Sequence, residues 1–413
     1  MRERPRREAS PQPTSRFCIR SKGNKTALGV TMILAAAGAF GFWGVSSYRR
    51  HFLPGDGEGA LGLGVKGRGG NHAGHSTSLP QCYSSSEADP SEGEWRSCAN
   101  GVKDSPANMI DWSFPVGQFG FLGRCQGIWD GEGHTGGNAQ RPYWAWEPSE
   151  CTLDAVNEAK FCKVMEGRKG VLLVGDSLTR LSTTTLASIL RAKSITADTF
   201  EDEWEACGGK LKLQFMRNDV LDARTKPNYR SPMCEKGLGG PAMDNTRCRI
   251  FATDETLSKF DTLVVNSGAH PRPAVEFGRE MDAAAEALTS SMNRLHGAGK
   301  AVLIVRNTVP GHWGCTERMF EGPVNATVAE ALVAEAPDSY QWKTFHDRNA
   351  HLRKAFSPER GWKLIDAYSP TLLRPDSHIG DKDCLHYCVP GPADHWLTLL
   401  YNILLVATGS ASG

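Results

Sequence analysis

From Gly170 onward the apolar residues gather in short β-branched and leucine-rich runs that alternate with longer stretches of helical pattern. The runs predict strands over 171–174, 212–216, 262–266, 301–306 and 363–367. The stretches between and after them predict helices over 181–192, 274–296, 328–334, 346–355 and 393–407. Such alternation implies an α/β fold, a mostly parallel sheet flanked by helices, with ligands at the carboxyl ends of the strands. The last apolar run, from Leu397 to Thr408, is too short to span a bilayer and is expected to be a core helix.

The chain before this pattern reads differently. Residues 81–165 hold Trp95, Trp112, Trp129, Trp144 and Trp146 among several cysteines and show little periodicity. They are expected to form a loop-heavy, disulfide-stapled segment packed on a catalytic domain at 166–410. Residues 49–80 are glycine-rich with few large apolar side chains and are expected to be a flexible stem. Residues 26–48 are expected to form a transmembrane signal anchor, since the uncharged stretch from Ala27 to Tyr48 would be about 33 Å long as a helix. The leader, 1–25, carries eight basic residues against two acids, which places it in the cytosol and the bulk of the chain in a lumen. A cleaved signal peptide would be shorter in both parts.

Composition narrows the class. Charged residues make up 23% and hydrophobic ones 40%, within the globular range. A net charge of +1 argues against nucleic acid as a partner. The proposed topology leaves eleven of the 12 cysteines in an oxidising lumen, an odd number, so at least one is expected to be free or bonded to another chain. No C-x-x-C pair supports zinc. Asn325, in N-A-T, is a candidate glycosylation acceptor.

Three polar motifs stand out, two of them, at Ser177 and Asn266, where the sheet's carboxyl edge is expected, and one near the C-terminus. Gly175-Asp176-Ser177-Leu178 follows a strand and opens a helix, so Ser177 is either an exposed nucleophile at a helix N-terminus or part of a helix cap. Asp383-Cys384-Leu385-His386-Tyr387-Cys388 places an acid and a histidine three apart, where on a tight turn the carboxylate can fix the imidazole tautomer. Asn266, followed by Ser267 and Gly268, ends a predicted strand; its amide is expected to join the Ser177 backbone N–H in an oxyanion hole, with Gly268 as a further oxyanion or substrate contact. Arg180 is read as an oxyanion or substrate contact, with a structural ion pair as the alternative. Asp366 is read as a strand end, Asp376 and His378 as loop-shaping residues, and Asp394 and His395 as the first turn of the last helix.

These motifs carry a resemblance. In order along the chain stand Gly93-Glu94-Trp95 after Cys82, Trp146-Glu147-Pro148 before Cys151, G-D-S-L-x-R at Ser177 and V-N-S-G at Asn266. Arg306 with Cys315, Arg374-Pro375-Asp376-Ser377-His378, D-C-x-H-x-C-x-P-G, and Asp394 with Trp396 complete the series. From Cys82 to its end the chain resembles the plant trichome-birefringence-like proteins of the wider PC-esterase group. The resemblance implies an SGNH/GDSL-hydrolase-like (flavodoxin-like) fold, with Ser177 as nucleophile, His386 as base and Asp383 as its orienter. It also implies O-acetylation of a polysaccharide acceptor from an acetyl donor in the Golgi, where the basic leader and apolar run lead us to expect a single-pass type II membrane protein with its catalytic domain in the lumen. Two departures, Leu181 where the family usually has Asn and Ala269-His270 where it has His-Trp, are expected to line the cleft and bear on acceptor choice.

The chemistry expected is a double displacement through an acetyl-serine, needing no metal or organic cofactor. Water as acceptor would make the same site a carbohydrate esterase, and a non-catalytic glycan-binding protein is the third reading. The tryptophans between Cys82 and Trp146 are expected to pack in a core rather than stack on sugars. Cys315 is expected to pair with Cys384 or Cys388, tying the acid-and-histidine turn to the neighbouring strand loop.

Overall fold

The computed structural model of the chain describes residues 79–98, 106, 143–198, 200–223, 248–270, 272–318, 320–380 and 383–410. The predicted leader, membrane span and nearly all of the stem lie outside these residues. Among the described residues no helix is long and apolar enough to cross a membrane.

The strands are β1 (Gly93–Cys98), β2 (Tyr143–Pro148), β3 (Gly170–Gly175), β4 (Lys193–Ala197), β5 (Glu201–Ala206) and β6 (Leu211–Arg217). They continue with β7 (Thr262–Val265), β8 (Val302–Arg306), β9 (Trp362–Ile365), β10 (His378–Gly380) and β11 (Asp383–Tyr387). The helices are α1 (Glu158–Val164), α2 (Ser177–Ile189), α3 (Asp254–Leu257), α4 (Ala274–His296), α5 (Ala326–Ala334), α6 (Phe345–Ala355), α7 (Tyr368–Leu372) and α8 (Pro392–Ala407).

Seven strands make the central sheet in the order β4-β5-β6-β3-β7-β8-β9. From β6 to β9 every pairing is parallel, whereas β4 and β5 add an antiparallel edge. The continuous apolar runs of β3, β7 and β8 follow from burial on both faces. Strand periodicity sends Leu172 and Val174 into a core with Phe277, Met281 and Leu288 of α4. It sends Val171 and Leu173 to the opposite core with Leu181 of α2 and Trp396 and Leu400 of α8. Each such buried side chain contributes roughly 1.5–3 kcal/mol. The helix α8 is buried from Pro392 to Leu405, as its apolar run implies.

Two departures from the sequence reading have physical causes. The strand β5, second from the edge of the sheet, reads Glu-Asp-Glu-Trp-Glu-Ala, so glutamates occupy its outward positions while Asp202, Trp204 and Ala206 point inward. The segment expected to be loop-heavy contains an antiparallel ladder, β1 with β2, in which Gly93 faces Pro148, Glu94 faces Glu147 and Trp95 faces Trp146. The G-E-W and W-E-P motifs are therefore the two halves of one structure. Gly93 is required there, because a Cβ would lie 2.3 Å from the Glu147 carbonyl oxygen. Trp95 and Trp146 are buried against each other with ring centroids 5.5 Å apart, and Trp95 Nε1–H donates to the Pro370 carbonyl at 2.8 Å, which docks the ladder on the main domain.

Disulfides join Cys82 to Cys151, Cys162 to Cys207 and Cys315 to Cys384, the last being one of the two pairings expected for Cys315. Cys98, Cys248 and Cys388 are disulfide-bonded as well, and among the described residues no cysteine is free. Asn325 is exposed and caps α5, its side-chain oxygen accepting the Val328 N–H at 3.0 Å.

Candidate active site

The turn from β3 into α2 is built by three residues. Gly175 admits a close approach, since a Cβ on it would lie 2.3 Å from Thr179 Oγ1. Asp176 is the N-cap, in extended backbone, and accepts the N–H groups of Leu178 at 3.0 Å and Thr179 at 3.4 Å. Ser177 is then the first residue of α2, so the helix begins four residues before its expected start. With Leu178 and Thr179 occupied by the cap, the Ser177 backbone N–H is the donor this turn can offer to a ligand.

The second half of the site comes from 209 residues along the chain, on strand β11, and meets the first directly. His386 Nε2 lies 2.7 Å from Ser177 Oγ, and His386 Nδ1 lies 2.9 Å from Asp383 Oδ2. The stretch predicted as a tight turn is strand β11. Asp383 still reaches its neighbour because its carboxylate folds back over the main chain, accepting the N–H groups of Leu385 at 3.3 Å and His386 at 3.0 Å. Burial by itself would raise the Asp383 carboxyl, but the His386 ring and these backbone donors outweigh it and hold the group at about 2. The carboxylate is thus ionised and fixes the Nδ1–H tautomer, leaving Nε2 to accept the Ser177 proton.

Other expected participants have different duties. Both amide protons of Asn266 are engaged in cross-links between β7 and the end of β8, to the Arg306 carbonyl at 2.8 Å and Thr308 Oγ1 at 3.3 Å. This corrects the expectation of an amide free for an oxyanion. Gly268 sits at φ +138°, where a Cβ would lie 2.5 Å from Thr308 Oγ1, and its carbonyl accepts from Arg348 at 2.8 Å. Its part is to turn the chain at the end of β7.

Arg180 is the structural alternative rather than a substrate contact. Its guanidinium is buried on Asp202 of β5, with Nε 2.8 Å from Oδ2, and donates to the Asp198 carbonyl at 2.9 Å. Asp202 is wholly buried, and burial raises its carboxyl despite the arginine. Removing one partner of such a pair strands the other charge in the core. Arg180→Met is therefore expected to destabilise the domain by about 3–5 kcal/mol in urea unfolding, and Arg180→Met with Asp202→Leu to recover most of that loss.

Of the two departures from the family pattern, Leu181 is fully buried in the core and does not line the cleft. Ala269 is buried too, while His270 stays at the carboxyl edge, partly exposed, with Nε2 3.0 Å from Asp219 Oδ2. Asp376 pairs with Arg374 through two contacts of 2.8 and 2.9 Å, shaping the loop ahead of β10 as expected.

His312 and His378 form a pair that sequence reasoning missed. Their Nδ1 and Nε2 atoms lie 2.7 Å apart, His312 Nε2 lies 2.8 Å from the Leu372 carbonyl, and His378 Nδ1 lies 3.0 Å from the His386 carbonyl. The His378 ring thereby holds the main chain at His386. Burial lowers both histidines, His312 to about 4. The His312 N–H also donates to the Cys384 carbonyl at 3.0 Å.

A cleft of about 890 Å³ opens beside this relay, lined by Asp383, Leu385 and His386 on one side and by Trp313, Tyr340 and Trp342 on the other. The three aromatics went unnoticed in sequence because Trp313 is separated from Tyr340 and Trp342 by more than twenty residues and no helical or strand period joins them.

A family model for PC-Esterase, described as the GDSL/SGNH-like acyl-esterase family found in Pmr5 and Cas1p, matches residues 153–403. The chain belongs to the PC-Esterase family. Its relatives include xyloglucan O-acetyltransferase 1 of Arabidopsis thaliana, 24% identical over 309 residues, an alignment covering 63% of this chain and 70% of that protein. Protein trichome birefringence-like 25 of the same plant is 22% identical, with 63% and 67% covered. Xyloglucan O-acetyltransferase 4 of Populus trichocarpa is 22% identical, with 63% and 70% covered. The match to the PC-Esterase family takes in Ser177, Asp383 and His386 together with both cores of the sheet.

Proposed function

We propose that this member of the PC-Esterase family transfers an acetyl group to a polysaccharide hydroxyl through an acetyl-Ser177 intermediate. The observation that carries the reading is the Ser177–His386–Asp383 relay, 2.7 and 2.9 Å per link, at the mouth of an open cleft. In the first half, Ser177 Oγ attacks the carbonyl carbon of an acetyl ester while its proton passes to His386 Nε2. The tetrahedral oxyanion is met by the Ser177 backbone N–H at the positive end of α2, and the donor's alcohol leaves with the proton from His386. In the second half, a sugar hydroxyl gives its proton to Nε2 and attacks the acetyl carbon, and Ser177 departs reprotonated. The relatives named xyloglucan O-acetyltransferase favour a polysaccharide acceptor. The disulfides favour an oxidising compartment, and with the basic leader and apolar run they support a type II anchor in the Golgi membrane with this domain in the lumen.

The family's description as acyl-esterase keeps hydrolysis as the second reading, since water can replace the sugar in the second half. Incubating the full-length chain with an acetyl ester and xyloglucan oligosaccharides separates the two. Acetyl mass gained on the sugar supports transfer; free acetate at the same rate with and without sugar supports hydrolysis and overturns it.

The role of Asp383 has its own test. An asparagine there would donate its amide to Nδ1 and force the proton onto Nε2, turning the base toward Ser177 as a donor. Asp383→Asn is expected to lower kcat by about 10⁴-fold with the fold intact, as read by initial rates and circular dichroism. A loss below tenfold would remove the carboxylate from the mechanism.

A further inference from the structure

Exposed large aromatics are costly in a folded domain unless something covers them. Among the described residues, Trp313 is the one exposed tryptophan, at 38%, and Tyr340 the one exposed tyrosine, at 43%. They come from different elements, a loop after β8 and the segment before α6, yet their ring centroids lie 5.8 Å apart. Tyr340 in turn packs at 4.9 Å on Trp342, which is buried. The Trp342 ring lies so close over Gly311 that a Cβ there would come within 2.5 Å of it. The result is an aromatic shelf whose outer two rings face the cleft and whose third is fixed beneath them.

This shelf is tied to the catalytic strand. The Trp313 N–H donates to the Leu332 carbonyl at 3.1 Å, the preceding residue's N–H donates to the Cys384 carbonyl at 3.0 Å, and Cys315 is bonded to Cys384. Cys384 lies two residues before His386 on β11. Two links to Cys384 within four residues, one hydrogen-bonded and one covalent, thus hold Trp313 in register with the imidazole that handles the proton.

Charge indicates what covers it. The cationic lining residue of the shelf side, Arg318, is paired with Glu335, and Glu317 adds a carboxylate. A phosphate-bearing or carboxylate-bearing ligand would meet an acid and no unpaired cation. A neutral pyranose ring offers an apolar C–H face to the rings and hydroxyls to the polar rim, matching both halves of the surface.

We infer that Trp313 and Tyr340 form the acceptor subsite, stacking a neutral sugar ring of the polysaccharide so that a hydroxyl of the chain reaches Ser177 and His386. The inference rests on the transferase reading of the same site, and it assigns the shelf to the acceptor half of the reaction alone. It also accounts for the position of the substrate-facing aromatics: they lie around the proton-handling histidine rather than on the N-terminal ladder, whose Trp95 and Trp146 are buried.

The test uses the full-length chain and reads the two halves separately. The donor half is followed by nitrophenol release from p-nitrophenyl acetate, and the acceptor half by acetyl mass on a xyloglucan oligosaccharide. Trp313→Ala and Tyr340→Ala are each expected to raise the acceptor KM about tenfold or more, equivalent to about 1.4 kcal/mol of binding, with nitrophenol release within twofold of wild type. Trp313→Phe, which keeps an aromatic face, is expected to recover most of the loss. A Trp313→Ala protein of native circular dichroism whose acceptor KM is unchanged, or whose nitrophenol release falls by the same factor, overturns the assignment. If wild type acetylates no sugar, the shelf is still read by fluorescence titration of Ser177→Ala with the oligosaccharide. A change abolished by adding Trp313→Phe upholds the subsite, and no change overturns it.

Discussion

Ser177→Ala is expected to reduce acetyl transfer by roughly 10⁴-fold or more while leaving the domain as stable as wild type. The two halves of that expectation come from different contacts. The Ser177 hydroxyl meets His386 Nε2 at 2.7 Å, so its removal deletes the nucleophile and the proton the imidazole is placed to accept. The start of α2, in contrast, is held by Asp176, whose carboxylate binds the N–H groups of Leu178 and Thr179 and does not need the serine. Alanine is also the most favourable residue for a helix. Wild type and variant should therefore give superimposable urea unfolding curves, with acyl-enzyme detectable by mass spectrometry in the wild type alone. Residual activity within tenfold of wild type would exclude the serine as nucleophile and, with it, the double displacement. Loss of stability along with activity would mean that the hydroxyl is part of the cap, which the contacts do not show.

How much of this was legible in the sequence depends on whether a residue's role is set by its neighbours along the chain. The parallel strands β3, β7 and β8 are buried on both faces and read as continuous apolar runs, and α4 spans 274–296 as predicted because its stripe of Phe277, Met281, Ala284, Ala285 and Leu288 repeats with the helical period. Ser177, Asp383 and His386 were legible as candidates because the first follows a strand and the other two stand three apart. Asn266 and Arg180 misled for the converse reason. Arg180 lies beside Ser177 in sequence and Asn266 ends a strand of the same sheet, but what each binds comes from elsewhere: Asn266 is claimed by the end of β8, and Arg180 by an acid of strand β5. That strand itself was hidden by its outward glutamates. The aromatic shelf and the His312–His378 pair required contacts between segments dozens of residues apart, which no local pattern encodes.

Acid is expected to destabilise the domain progressively over the range from about pH 6.5 down to 4. Three buried histidines set this window. Burial lowers His312 to about 4 and His395 to about 3, and holds His378 well below its ordinary range. In the unfolded chain each histidine takes up a proton near pH 6.5. Between that value and its folded one, the unfolded state binds the proton and the native state does not, so stability falls as the pH falls. His312 can contribute on the order of 3 kcal/mol and His395 on the order of 5 kcal/mol by the time each reaches its folded value, against a typical total stability of about 5–15 kcal/mol. Asp202 works in the opposite sense, because burial raises its folded carboxyl and protonation there favours the native state. Asp383, held at about 2, adds stability above about pH 4 that is lost as the pH drops through its folded value, so it deepens the loss only after the histidines have acted. Urea unfolding at successive pH values between 7 and 4 should show the midpoint dropping steeply. His395→Phe tests the assignment, because His395 touches the rings of Trp95 and Trp146 at 5.6 and 6.0 Å and an aromatic without a titrating group can take its place. That variant is expected to flatten the slope by close to one proton, and an unchanged slope in a natively folded variant would put the acid sensitivity elsewhere.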